Sequence, residues 1–175
     1  MQTLKIALTI LVALLLQYLL PNFLGFFKYI DLPLIVTVYF GLQRNLVLGM
    51  LIGVAMGIGG DAITGGILGV GGFSKTLIGY LVAMASIKLS LENPLARVAV
   101  VALASAANTL LFAALYLMLE RPLSNASTWG ELGKIIGWRA LADTATAIIV
   151  FIVLDRIFAE QTAARRMAIK RRFYE

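Results

Sequence analysis

The feature that most constrains this chain is a succession of apolar blocks separated by short polar breaks. They run from Ile6 to Leu20, Leu32 to Leu42, Leu46 to about Gly59, a fourth ending near Ile87, about Val98 to Leu119, and about Ile135 to Leu154. Blocks of this kind are at home in hydrocarbon, and no stretch between them is polar enough to fold in water as a separate unit. Of 175 residues, 61% are hydrophobic and 14% charged, against roughly 25% charged in soluble domains. The pattern predicts an all-α integral membrane protein with about six transmembrane helices. Residues 1–158 form a six-span membrane domain and residues 159–175 a basic cytoplasmic tail. The first block ends at Pro21-Asn22 without a small-x-small cleavage pattern, which favours an uncleaved span over a signal peptide. The second and third blocks are short for the roughly 20 residues of a perpendicular helix, and two short spans are favoured over a re-entrant pair. The glycine-rich stretch from Gly59 to Gly72 reads as the turn that follows them.

Six spans put both termini on one side, and basic residues choose the side. With cytoplasmic termini, that side carries Lys5, Arg44, Lys88, Arg97, Arg156, Arg165, Arg166, Lys170, Arg171 and Arg172. The other side keeps Lys28, Lys75, Arg121, Lys134 and Arg139. The excess satisfies the positive-inside rule, so both termini are predicted cytoplasmic. The longest outer loop, Glu120 to Lys134, holds Pro122, Ser124, Asn125, Ser127 and Gly130 and reads as a connector.

The chain has neither cysteine nor histidine. That removes disulfides, thiolate ligands, the commonest general base and the usual transition-metal ligand. The expectation is a protein that is not an enzyme and has no cofactor or metal. Two membrane aspartates raise the question of an intramembrane aspartyl protease, but Ile58-Gly59-Gly60-Asp61 is not a Gly-x-Gly-Asp run, and Asp143 follows Ala142 rather than a tyrosine. Nucleic acid binding needs an exposed domain to present charge, and none is expected.

The most ordered pattern is small residues every fourth position: Gly49, Gly53, Gly57, then Asp61, then Gly65 and Gly69. On a helix this spacing lines one face and lets another backbone approach closely. The first half reads as a helix-packing face and the second as a turn, with Gly59-Gly60 and Gly65-Gly66 beside Thr64. Asp61, at the membrane edge, needs a partner, for which Lys75 and the start of the next span are the candidates. Arg139 and Asp143, four apart, form a pair that neutralises itself on one face. Gln17 and Asn108 read as interhelical hydrogen-bonding groups. In the tail, Arg165, Arg166, Lys170, Arg171 and Arg172 suit anionic headgroups, each basic residue gaining about 1 kcal/mol near such a surface.

Together, Ala13-Leu14-Leu15-Leu16-Gln17 followed by Pro21, the Gly53-x3-Gly57-x3-Asp61-x3-Gly65-x3-Gly69-Val70 register, the chain length and the span plan resemble the MreD family. This is a family of small multispan proteins of the bacterial rod-shape and wall-elongation machinery. The resemblance implies a non-enzymatic scaffold in the bacterial inner membrane. It would associate with MreC and, through it, with RodA, a penicillin-binding transpeptidase and MreB filaments. It also implies a fold similar to the substrate-binding membrane subunits of vitamin uptake systems. The alternative reading is therefore a small-molecule-binding subunit of a transporter, using Asp61, Asn108 or Arg139 as polar contacts. The first loop, Asn22 to Tyr29, is mostly aromatic and apolar rather than convergently polar, which favours a partner over a ligand. In the scaffold reading the glycine face receives a partner's transmembrane helix.

Overall fold

The computed structural model describes residues 2–23, 25–89, 93–120 and 129–158. The tail residues Arg165, Arg166, Lys170, Arg171 and Arg172 lie outside the described residues, as do Pro122, Ser124, Asn125 and Ser127 of the expected outer loop.

Six α-helices form, in the order α1 (Gln2–Phe23), α2 (Leu32–Gly41), α3 (Leu46–Thr64), α4 (Val70–Lys88), α5 (Pro94–Met118) and α6 (Trp129–Ile157), with a 3-10 turn over Gly25–Tyr29. Their starts follow from side chains that satisfy helix N-terminal amides. The Asp31 carboxylate accepts from the Leu34 amide, Asn45 from Leu48 and Asn93 from Leu95. Pro33 and Pro94 occupy the first turn, where a missing N–H is harmless. Gly65, at φ +68°, ends α3 in the left-handed conformation that glycine adopts without strain.

Four helices, α1, α3, α4 and α5, are long and apolar enough to cross a membrane. The expected second span is much shorter: α2 has ten residues, about 15 Å of helix, half the hydrocarbon thickness. Every one of its residues is buried, and Leu34, Ile35, Val38 and Phe40 are fully enclosed. It is the central post of the bundle. The third span is longer than expected, since α3 runs to Thr64 and carries Gly59 and Gly60 inside the helix rather than in a turn. The turn is confined to Gly65–Gly69 because Gly65 and Gly69 alone adopt positive φ there. Helix α1 likewise continues through Pro21 to Phe23, the proline disturbing only the final turn. The first loop is helical too, as the 3-10 turn over Gly25–Tyr29.

Helices α2 to α4 run antiparallel. Along α3, Gly49 faces Gly79, Gly53 faces Lys75 and Gly57 faces Gly71. Helices α5 and α6 are antiparallel as well, joined by Arg97–Asp155 and Ser105–Asp143. Helix α1 leans on the outside, with Gln17 beside the start of α2 and Lys5 Nζ donating to the Ile157 carbonyl at 3.5 Å. The start of α1 and the end of α6 thus share one end of the bundle, the Arg44 end, while Asp31 marks the other. The outer surface is apolar, with Leu4, Leu8, Leu11, Leu103, Leu110 and Ile149 exposed. The interior holds Lys75, Asp61, Asn108 and Asp143. Apolar outside with ionised groups inside is an arrangement suited to a hydrocarbon surround.

Candidate functional site

Two constructions stand out: a seam in which backbones touch and a junction in which buried polar groups meet. The seam joins α3 to α4. A Cβ on Gly49 would lie 2.7 Å from the Gly79 carbonyl oxygen, and one on Gly53 would lie 2.5 Å from that of Lys75. A Cβ on Gly57 would run into the Gly71 carbonyl, and one on Gly79 into that of Gly49. Backbone cannot give way as a flexible side chain can, so both rows of small residues are required. At the end of the seam, Asp61 turns its carboxylate onto the N-terminus of α4 and accepts from the amides of Gly69 (2.9 Å), Gly71 (2.9 Å) and Gly72 (3.4 Å). Gly69, the N-cap residue, makes no side-chain cap hydrogen bond, so a carboxylate from the previous helix satisfies amides that would otherwise be orphaned.

The junction lies beside it. Lys75 Nζ meets Asp31 Oδ2 at 2.9 Å and sits 5.2 Å from the centre of the Phe112 ring. Asn108 Nδ2 donates to Asp31 Oδ2 at 3.2 Å, and Asn108 Oδ1 accepts from Ser74 Oγ at 2.8 Å. The Asp31 amide donates to Asp143 Oδ1 at 2.7 Å, and Ser105 Oγ donates to Asp143 Oδ2. Gln17 completes the ring of contacts, donating to the Ile30 carbonyl at 3.1 Å and accepting from the Leu32 amide at 2.9 Å. Five helices, α1, α2, α4, α5 and α6, therefore converge on the residues around Asp31.

With this geometry established, comparison with known families gives one result. The family described as rod shape-determining protein MreD matches residues 1–156. The chain belongs to the MreD family. Comparison with curated proteins and with solved structures returned no match. MreD proteins are membrane-associated and shape-determining, and their role is structural rather than that of a recognised enzyme family.

In this MreD chain, Gly49, Gly53 and Gly57 form a packing face, but its occupant is α4 of the same chain. That corrects the expectation that the face stands open for a partner's helix. The physical reason is a second row of four-residue spacing, Gly71, Lys75 and Gly79, which brings α4 into backbone contact with the first. Gly65 and Gly69 shape the turn. Asp61 pairs with the start of α4 and not with Lys75, which lies inside α4 and neutralises Asp31 instead. Arg139 and Asp143 make no direct ion pair among the described residues: Asp143 faces the Asp31 amide and Ser105, and the Arg139 charge acts from farther off on both Asp143 and Asp31. Gln17 and Asn108 each bridge elements, Gln17 from α1 to α2 and Asn108 from α5 to α2 and α4.

Asp31, Lys75, Ser74 and Ser105 were not singled out as a group by sequence reasoning. The signal for Asp31 was its place as a capping residue before Pro33. That for Lys75 was its midpoint position between Gly71 and Gly79. Among the described residues no group of three or more metal-ligating side chains assembles. The junction's lone pairs and protons are directed at one another, so what it does chemically is fix the relative positions of five helices.

Proposed function

We propose that this chain is a non-enzymatic scaffold of the bacterial cell-shape and wall-elongation complex. It sits multi-pass in the inner membrane with both termini cytoplasmic. It binds MreC and links RodA and a penicillin-binding transpeptidase to cytoplasmic MreB filaments, with its basic tail against anionic lipid. The observation that carries this reading is the family match over residues 1–156. One feature supports it. The ionised groups of the interior are engaged with one another, as scaffolding requires and as a ligand pocket would not.

The partner's helix is received on an outward apolar face, because the glycine face is filled from within. The likeness in fold to substrate-binding subunits of vitamin uptake systems belongs to the same proposal and is checked by an experimental structure. The decisive experiment is affinity purification at native expression level in mild detergent, with cross-linking mass spectrometry of what accompanies the chain. Recovery of an MreC-like partner cross-linked to it is the expected result. Recovery of a coupling subunit with ATPases, or of a stoichiometric small molecule and no wall-synthesis protein, overturns the reading in favour of transport.

A further inference from the structure

We propose that the α5–α6 hairpin is a movable arm, pivoting at the Arg44 end of the bundle and latched near its other end by the Asp31–Lys75–Asn108–Asp143 junction. The arm is tied within itself at two levels. Arg97 Nη1 pairs with Asp155 Oδ2 at 3.0 Å, and Ser105 bonds Asp143. These ties let α5 and α6 move together.

Its attachment to the other helices differs from the seam between α3 and α4. Helix α5 contains no glycine, and Gly130, Gly133 and Gly137 of α6 have nothing within 4 Å of where a Cβ would be. No glycine brings backbones together there. At the Asp31 end the links are polar: Asn108 to Ser74 and Asp31, Asp143 to the Asp31 amide, and the Lys75 ammonium near the Phe112 ring. A polar link can exchange its partner for water on opening, whereas a glycine seam gains nothing by separating. Of the two partners Asp31 is nearer the outside, its side chain keeping 19% of its surface exposed while Lys75 keeps 5%.

At the Arg44 end the contacts suit a pivot. Tyr39 and Phe40 of α2 meet Phe151 and Phe158 with ring centres 5.4–6.3 Å apart, tilted or edge-on. Edge contacts of this kind tolerate rotation of one ring about another. Tyr39 Oη bonds Asp155 at 3.1 Å on the same level and anchors the pivot. A few such contacts at element ends suffice for a hinge, and discrete polar contacts at the far end make the closed position a defined state.

The chain has no cysteine, so introduced thiols report without background. Spin-label pairs in the full chain in lipid nanodiscs read the arm directly. Ile58→Cys with Trp138→Cys spans the Asp31 end, and Val47→Cys with Val153→Cys spans the Arg44 end. All four positions are exposed. With Asn108→Ala or Asp143→Asn added, the first pair gains a longer-distance population while the second is unchanged. A first pair that keeps one unaltered distance in both variants overturns the proposal, as does a parallel shift of both pairs, which is general loosening.

If those variants do not fold, a second measurement decides with the junction's charges intact. Ser74→Cys at the latch and Ala83→Cys toward the Arg44 end of α4 both replace fully buried side chains. A charged, water-borne thiol reagent modifies Ser74→Cys at least about tenfold faster if the latch opens locally. Equal rates at the two positions overturn the proposal.

Discussion

Helix α4 is held on one side by α3 and on another by α5, and the two contacts are built on opposite principles. Against α3, side chains are absent where the helices meet, and the attraction is dispersion between backbones in contact. Against α5, side chains span the gap: Ser74 donates to Asn108, the Lys75 ammonium lies 5.2 Å from the centre of the Phe112 ring, and Lys75 and Asn108 both hold Asp31 at the start of α2. The first contact is sensitive to added volume and indifferent to charge. The second is sensitive to charge and tolerant of small changes in distance. The difference teaches that rigidity and specificity have been assigned to different interfaces of one small bundle.

Substitutions break this contrast in graded steps, read as thermal unfolding in mild detergent. Among substitutions that leave a folded chain to melt, the largest effect is expected at the junction. Lys75→Met leaves Asp31 in the interior without its cation and lowers stability by about 3–5 kcal/mol. Adding Asp31→Asn removes the stranded charge and recovers most of the loss. A double variant no better than the single one would show that the lysine acts through packing rather than pairing.

Next comes the seam. Gly57→Ala pushes a methyl into the Gly71 carbonyl and lowers stability by about 1–3 kcal/mol. Gly53→Leu and Gly57→Leu prevent the folded chain from accumulating before any partner is tested, which is checked by its yield as a single species in size-exclusion chromatography. Asp61→Asn is smaller, about 1 kcal/mol, because an amide oxygen still accepts from the start of α4 but without charge. Faster hydrogen exchange at Gly69 and Gly71 is its local signature. The smallest effect has the opposite sign. Gly137→Ala fills open space on α6 and stabilises by about 0.5–1 kcal/mol through helix propensity.

Much of the architecture was legible in the apolar blocks, since each of the six gave a helix. Their ends were legible only where a residue marks them locally. Asp31, Asn45 and Asn93 cap helices in a way their positions before apolar runs announce, whereas Gly59 and Gly60 suggested a turn and proved helical because nothing local stops α3 before Gly65. The glycine face was readable as a face, but its occupant was not, because which helix docks is a long-range matter. The matching spacing of Gly71, Lys75 and Gly79 is visible, but the turn reading of Gly59 to Gly72 separates Gly71 from the other two. The pairing of Lys75 is not legible because hydropathy averages over a helix and does not see a single buried cation with a partner forty-four residues away, as Lys75 has in Asp31.

Helix α2 has a consequence for how the chain reaches its folded state. Its ten residues leave no side facing outward, and both of its ends would lie in or near hydrocarbon if it stood alone. An isolated segment of that length would leave terminal amides and carbonyls unsatisfied in lipid. In the membrane-spanning reading proposed above, it would enter a bilayer only in company, as a hairpin with α3 across the turn capped by Asn45, and come to rest once α4 has closed on the glycine rows. On that reading α2 is a passenger during insertion and the axis of the bundle afterwards.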